Sequence, residues 1–266
     1  MFAGYKTIDL TLTLSESLPC AWPAHMPFQR KNWNWYSEVV ESYGVEKHSK
    51  YGPYYTEWLT IDEHTGTHFD APSHYIPHPD SGFKYACSAG KITGEKVDVS
   101  KLLGPAVVVD VTQLTGTGGP GESPLITVEH LHTWEGKYGK IQPGEIVLFY
   151  TGWDKYYLPG KEGLRYSFTV FQQEGPGWPS PDSNAVDWLY ERGVRCIGTD
   201  GVSIGAAHEG ITAHVAGLSK EMAYVESLTN LGQLPVKGFY FIFLPIKVEG
   251  SSGAPGRAVA LVPDTN

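Results

Sequence analysis

Cysteine is scarce: 266 residues hold three, at positions 20, 87 and 196. Their odd number and wide spacing exclude a disulfide framework or a zinc knuckle and point to a reducing compartment. Cys196, inside the apolar run Val194 to Gly198, reads as a small buried hydrophobe rather than a nucleophile. Positive charge is also short. With 20 Lys and Arg against 29 Asp and Glu the formal net charge is -9, which argues against a phosphate-backbone partner, so no nucleic acid is expected. No apolar run is long enough to span a bilayer, so no membrane is expected either. The segment Met1 to Lys6 lacks the basic and apolar regions of a secretory signal, and a cytoplasmic protein is the expectation. Low-complexity tracts and internal repeats are missing, and residues 1–266 read as one domain large enough to bury a full core.

Turn formers and aromatics are plentiful. The 31 glycines and 19 prolines imply long ordered loops, which suits a site built on loops. Ala106–Val111, Glu145–Tyr150 and Phe239–Leu244 are continuous apolar runs, the pattern of strands covered on both faces. Thr127 is placed to cap a helix over Val128–Glu135, and a second helix is predicted from about Asn184 to Arg192, ending at Gly193. Strands interspersed with a few helices predict an α/β protein. Two aromatic stretches stand out: Trp33, Trp35, Tyr36, Tyr51, Tyr54, Tyr55 and Trp58, and then Phe168, Phe171 and Trp178 in a Gly- and Pro-punctuated loop that would suit a lid. Each reads either as packing or as a flat wall for a substrate or subunit contact.

The chemistry concentrates in Glu63-His64-Thr65-Gly66-Thr67-His68-Phe69-Asp70-Ala71-Pro72-Ser73-His74. His64, His68 and Asp70 form a His-x-x-x-His-x-Asp set, which gives a divalent ion three ligands and leaves room for water or substrate. Gly66, two β-branched threonines and Pro72 disfavour a helix and predict a strand end turning into a tight loop. There Gly66 would let the backbone approach the metal, and the threonine hydroxyls would steady the ligand rings. His74 is the candidate general base and acid, since imidazole exchanges protons near neutral pH; a fourth ligand or a prop is the alternative. Asp200 reads either as a partner orienting a ligand histidine or as a turn residue before Gly201, and His208 as a bystander.

The run resembles the signature His-x-Gly-Thr-His-x-Asp-Ala-Pro-x-His of the metal-dependent cyclase-like hydrolases, a family that includes bacterial kynurenine formamidases, isatin hydrolases and a trans-dienelactone hydrolase. Every fixed position is present. Gly198-Thr199-Asp200, His214 and Val225 to Leu231 extend the resemblance, and the stretches Trp153 to Lys155 and Leu244 to Pro263 look most like the isatin hydrolases. The resemblance implies a compact layered β/β/α domain of the swivelling type and a homodimer or larger homo-oligomer. It implies one or two divalent ions, Mn or Zn, with iron also compatible. His214 and Glu226 match the positions that bind a second metal, with Asp70 bridging. The implied activity is opening of a cyclic amide or cleavage of an aryl formamide on a small aromatic substrate. Lactone or ester hydrolysis is the alternative, and a non-catalytic binding protein a further one, against which the intact signature counts.

Overall fold

A computed structural model describes residues 4–36, 39–40, 46–47 and 52–264, the two short pairs by their backbone only. Seven strands, His68–Asp70, Leu103–Asp110, Ile146–Tyr150, Cys196–Thr199, Ala223–Glu226, Phe239–Pro245 and Gly253–Pro263, are joined in a ring, because both ends of the series pair through His68–Asp70. The final strand makes the closure. Its start pairs with His68–Asp70 (Gly253 opposite Asp70, Pro255 opposite His68) and its remainder with Phe239–Pro245 on one edge and Tyr5–Asp9 on the other. The fold is therefore a mixed α/β domain built on a seven-stranded barrel, where the resemblance implied a layered β/β/α arrangement.

The continuous apolar runs are explained by two cores. Ala106, Val108, Ile146, Leu148, Cys196, Val225, Phe239 and Phe241 belong to one. Their neighbours Val107, Val109, Val147, Phe149, Ile197 and Tyr224 pack on the other, with Leu131, Trp134, Val186, Leu189, Ala213 and Leu218 from the helices Val128–Tyr138, Ser183–Glu191 and Ile211–Leu218. Because successive strand residues face opposite ways, one set fills the barrel and the other seats the helices. The helix starts follow their capping residues. Thr127 and His130 form a reciprocal capping box, and Asp182 accepts the Ala185 N–H at 2.7 Å. Cys196 is buried as expected, and burial pushes its thiol up to about 12.

The first aromatic stretch does not join either core. Gln29–Asn34 and Thr56–Thr60 pair as a separate two-stranded ribbon, on and beside which Trp33, Trp35, Tyr36, Tyr54, Tyr55 and Trp58 are all exposed. Tyr51 lies outside the described residues. In the second stretch Trp178 is fully buried while Phe168 and Phe171 remain exposed.

Candidate metal centre

Register brings the distant halves of the sequence together. In the strand His68–Asp70, residues i and i+2 share a face while Phe69 turns into the barrel core. Tyr224 pairs opposite Asp70 and Glu226 opposite His68, so Glu226 joins the same face. The helix Ile211–Leu218 lies over that face and delivers His214, and Pro72–His74, a single 3-10 turn started by its proline, delivers His74. All six residues singled out in the sequence thus converge.

Their atoms are close and dry. His64 Nδ1 lies 2.9 Å from Asp70 Oδ1, and His68 Nε2 lies 3.6 Å from Asp70 Oδ1 and 3.4 Å from Glu226 Oε2. His214 Nε2 is 3.4 Å from Asp70 Oδ2 and 3.4 Å from Glu226 Oε1. His74 stacks on His64 with ring centroids 4.0 Å apart. Two three-residue sets have ligand atoms within 4.8 Å of one another: His64, Asp70 and His74, and His68, Asp70 and Glu226. Asp70 is common to both. This grouping differs from the expected one, which placed His64, His68 and Asp70 together with His74 apart.

Two observations show that this set fits a cation. First, His68 Nδ1 donates to Gly66 O at 2.7 Å and His214 Nδ1 to Gly210 O at 2.6 Å, which leaves the lone pair of each Nε2 facing carboxylate oxygens. Second, His68 Nε2 and Asp70 Oδ2 are buried polar atoms without a hydrogen-bond partner among the described residues. Opposed acceptors in a water-poor site are costly unless a proton or a metal lies between them. The electrostatics agree. Burial opposes ionisation of Asp70, yet His74, His214 and His64 hold it well below the usual carboxylate range. Burial likewise works against a charged His214, but Asp70 and Glu226 raise it to about 10. His74 is pushed the other way, to about 4, mainly by burial, with His64 and His214 adding to it against the opposing pull of Asp70 and Glu226, so it is uncharged at physiological pH.

Several smaller expectations need correction. The threonine hydroxyls brace the loop backbone instead of the rings: Thr65 Oγ1 accepts from Asp62 N, and Thr67 Oγ1 accepts from Leu12 N and donates to Ser227 O. Gly66 is needed for its left-handed backbone (φ 59°) and because a Cβ there would meet Leu14 at 2.3 Å; its carbonyl serves His68. Asp200 orients no histidine. It accepts Thr151 N–H, Thr151 Oγ1 and Gly152 N–H and so ties two loops together. His208 accepts from Ser123 N away from the cluster.

Other contributors carried no sequence signal. Glu63 Oε2 accepts from Ser252 N at 2.7 Å and Oγ at 2.6 Å, and Ser252 Oγ contacts His64 Nε2 at 3.0 Å. Tyr75 stacks on His214 at 4.1 Å. Trp22 lines the small cavity beside His64 with Gly66, Tyr166 and Ser227, and packs on Phe171 and Trp178, neither of which lines that cavity. Only pairing across 188 residues reveals Ser252; no local pattern marks it.

Residues 8–206 match the family described as Putative cyclase. The chain belongs to that family. It is 32% identical over 231 residues to isatin hydrolase of Roseibium aggregatum, covering 84% of this chain and 81% of that protein. It is also 26% identical over 258 residues to kynurenine formamidase of Erythrobacter litoralis, covering 96% and 94%. Among solved structures, isatin hydrolase A from Labrenzia aggregata, bound to benzyl benzoate, superposes with a TM-score of 0.76 at 27% identity, over 98% of this chain and 95% of that one.

Proposed function

We propose that this cyclase-family protein is a divalent-metal hydrolase that opens a cyclic aromatic amide or cleaves an aryl formamide. The observation that carries the reading is the pair of ligand triads sharing Asp70, with His68 Nε2 and Asp70 Oδ2 left partnerless in a buried site. Its substrate class rests on the likeness to an isatin hydrolase and a kynurenine formamidase over most of the chain.

In this reading Asp70 is shared by two positions, one beside His64 and one lined by His68, His214 and Glu226. When bound, a divalent cation, Mn or Zn, supplies Lewis-acid polarisation and a water acidified toward neutrality. The protein's own residues do the rest. His74, neutral and half-buried beside the carboxylates, accepts a proton from water and returns it to the departing nitrogen. Trp22 lines the cavity beside His64, with Phe171 packed against it, and this apolar flank favours an aromatic ring over an aliphatic chain. Tyr75 holds His214 by stacking, and the buried setting limits water.

A second reading is favoured by one specific contact set: His74 groups with His64 and Asp70 closely enough to be a ligand itself. In that case the proton carrier lies elsewhere. The exposed aromatic ribbon around Trp33 and Trp58 supports a homodimer or larger homo-oligomer, since exposed Trp and Tyr are enriched at subunit contacts. The test is kcat/KM, with defined metal content, across isatin, N-formylkynurenine, an aliphatic amide of matched reactivity and an aryl lactone. The reading predicts the aromatic amides first. Preference for the lactone would move the assignment to ester hydrolysis, and equal rates for aromatic and aliphatic amides would remove the role given to Trp22 and Phe171.

A further inference from the structure

The three buried histidines do not present themselves to the carboxylates in the same way. His68 and His214 each spend Nδ1 on a backbone carbonyl and turn Nε2 inward. His64 is reversed: Nδ1 faces Asp70 at 2.9 Å while Nε2 faces the Ser252 hydroxyl at 3.0 Å. Which nitrogen carries the proton follows from counting donors. Glu63 offers a carboxylate oxygen that already accepts the Ser252 N–H, and Ser252 Oγ sits 2.6 Å from that same oxygen. A carboxylate accepts only, so the hydroxyl proton points to Glu63. The serine oxygen then has only lone pairs to show His64, and Nε2 must be the donor. A neutral imidazole with its proton on Nε2 has a free lone pair on Nδ1, aimed at Asp70.

We propose that Glu63 and Ser252 are positioning residues that fix the tautomer of His64, so that His64 ligates through Nδ1 whereas His68 and His214 ligate through Nε2. The assignment rests on the metal-site reading above and adds to it two residues and a direction of hydrogen bonding. The backbone supports the arrangement. Ser252 is held by its own N–H on Glu63 and by its carbonyl, which accepts Ala71 N at 2.9 Å, just beyond the ligand Asp70. Gly253 follows, where a Cβ would sit 2.8 Å from His64 Cε1 and 2.4 Å from Phe69 O, so the chain beside Ser252 leaves room for the ring only because glycine is there. The barrel closure at Gly253 and Asp70 thus places the serine, one residue before its strand, beside the strand that carries Asp70.

The pair has a distinctive mutational signature. Both Ser252 bonds end on one oxygen of Glu63, so Glu63→Gln keeps an adequate acceptor in its amide carbonyl. Glu63→Ala removes it, and the freed hydroxyl can rotate and donate to Nε2, which pushes the proton of His64 to Nδ1. Ser252→Ala removes the acceptor for Nε2–H outright. Loss of such outer partners costs about 10–100-fold in metal affinity.

The experiment uses the full chain loaded with zinc, a diamagnetic ion, and combines chelator-competition titration of zinc with ¹⁵N NMR of labelled histidine side chains. For the wild type it should show His64 protonated on Nε2, and His68 and His214 protonated on Nδ1. Zinc affinity should fall at least tenfold in Ser252→Ala and Glu63→Ala and stay within about threefold in Glu63→Gln, the conservative variant restoring what the alanine loses. If Ser252→Ala fails to fold, the Glu63 pair still decides. A wild type that binds zinc with His64 protonated on Nδ1, or a Glu63→Ala protein with unchanged affinity, overturns this assignment alone. A wild type that takes up no zinc overturns the metal-site reading and this assignment with it.

Discussion

Replacing Glu226 by Gln isolates the contribution of one buried carboxylate. Glu226 Oε1 accepts from Ile204 N at 2.7 Å and Ser203 Oγ at 3.0 Å, so the amide oxygen of the substituted side chain will take those two bonds and the NH₂ must occupy the place of Oε2. That nitrogen then faces His68 Nε2, which Glu226 Oε2 approaches at 3.4 Å. The Nε2 lone pair is open because Nδ1 donates to Gly66 O, so the amide donates to it and blocks it. Folding is retained, since each bond that anchors the side chain survives. Metal binding suffers twice, by loss of a ligand oxygen and of a unit charge. At an effective dielectric of about 20, unit charges about 4 Å apart interact by about 4 kcal/mol, hence about 8 with a divalent ion. The cost of keeping a carboxylate dry offsets several kcal/mol, leaving a net loss of roughly 4 kcal/mol, about a thousandfold in affinity. Where the wild type binds two ions, metal stoichiometry by elemental analysis should fall to one, and where it binds one, its affinity should fall, in a protein whose circular dichroism and melting temperature show an intact fold. Wild-type stoichiometry and affinity in the Glu226→Gln variant would refute the reasoning and leave Glu226 a structural acceptor for Ile204 and Ser203.

His74→Asn should keep at least one bound metal and a native fold while kcat falls by a factor on the order of 100, the size of general acid-base assistance. Metal loss in the same variant would make His74 a ligand instead. Gly253→Ala should destabilise by roughly 2–3 kcal/mol, as expected for forcing a methyl into a filled space, and should lower metal affinity by displacing His64; urea denaturation together with metal titration measures both.

The main strand positions and the candidate site residues His64, His68, Asp70 and His74 were legible because they are local. A His-x-x-x-His-x-Asp run advertises itself, and short unbroken runs rich in β-branched residues, such as Ala106–Val111, favour strands covered on two sides. What was not legible depended on which distant residues meet. Closure of the barrel through pairing of Gly253–Pro255 with His68–Asp70 decides that Ser252 touches His64, and nothing near either residue in sequence announces it. Asp200 illustrates the limit in the other direction: its place after an apolar strand suited a histidine partner, but Thr151 and Gly152 offered three nearer donors. The aromatic residues divided in the same way. Trp22, unremarked in sequence, packs beside the site, while the more conspicuous Trp33 and Trp58 stand on an exposed ribbon.

The central claim is that the cluster around Asp70 is a metal centre on which hydrolysis depends. Its most direct test is to strip the wild-type protein with a strong chelator, verify metal content by elemental analysis, and follow ring opening of isatin before and after adding back manganese or zinc. The account predicts that activity disappears with the metal and returns in proportion to the ion restored. Full turnover by protein verified to be metal-free would contradict it.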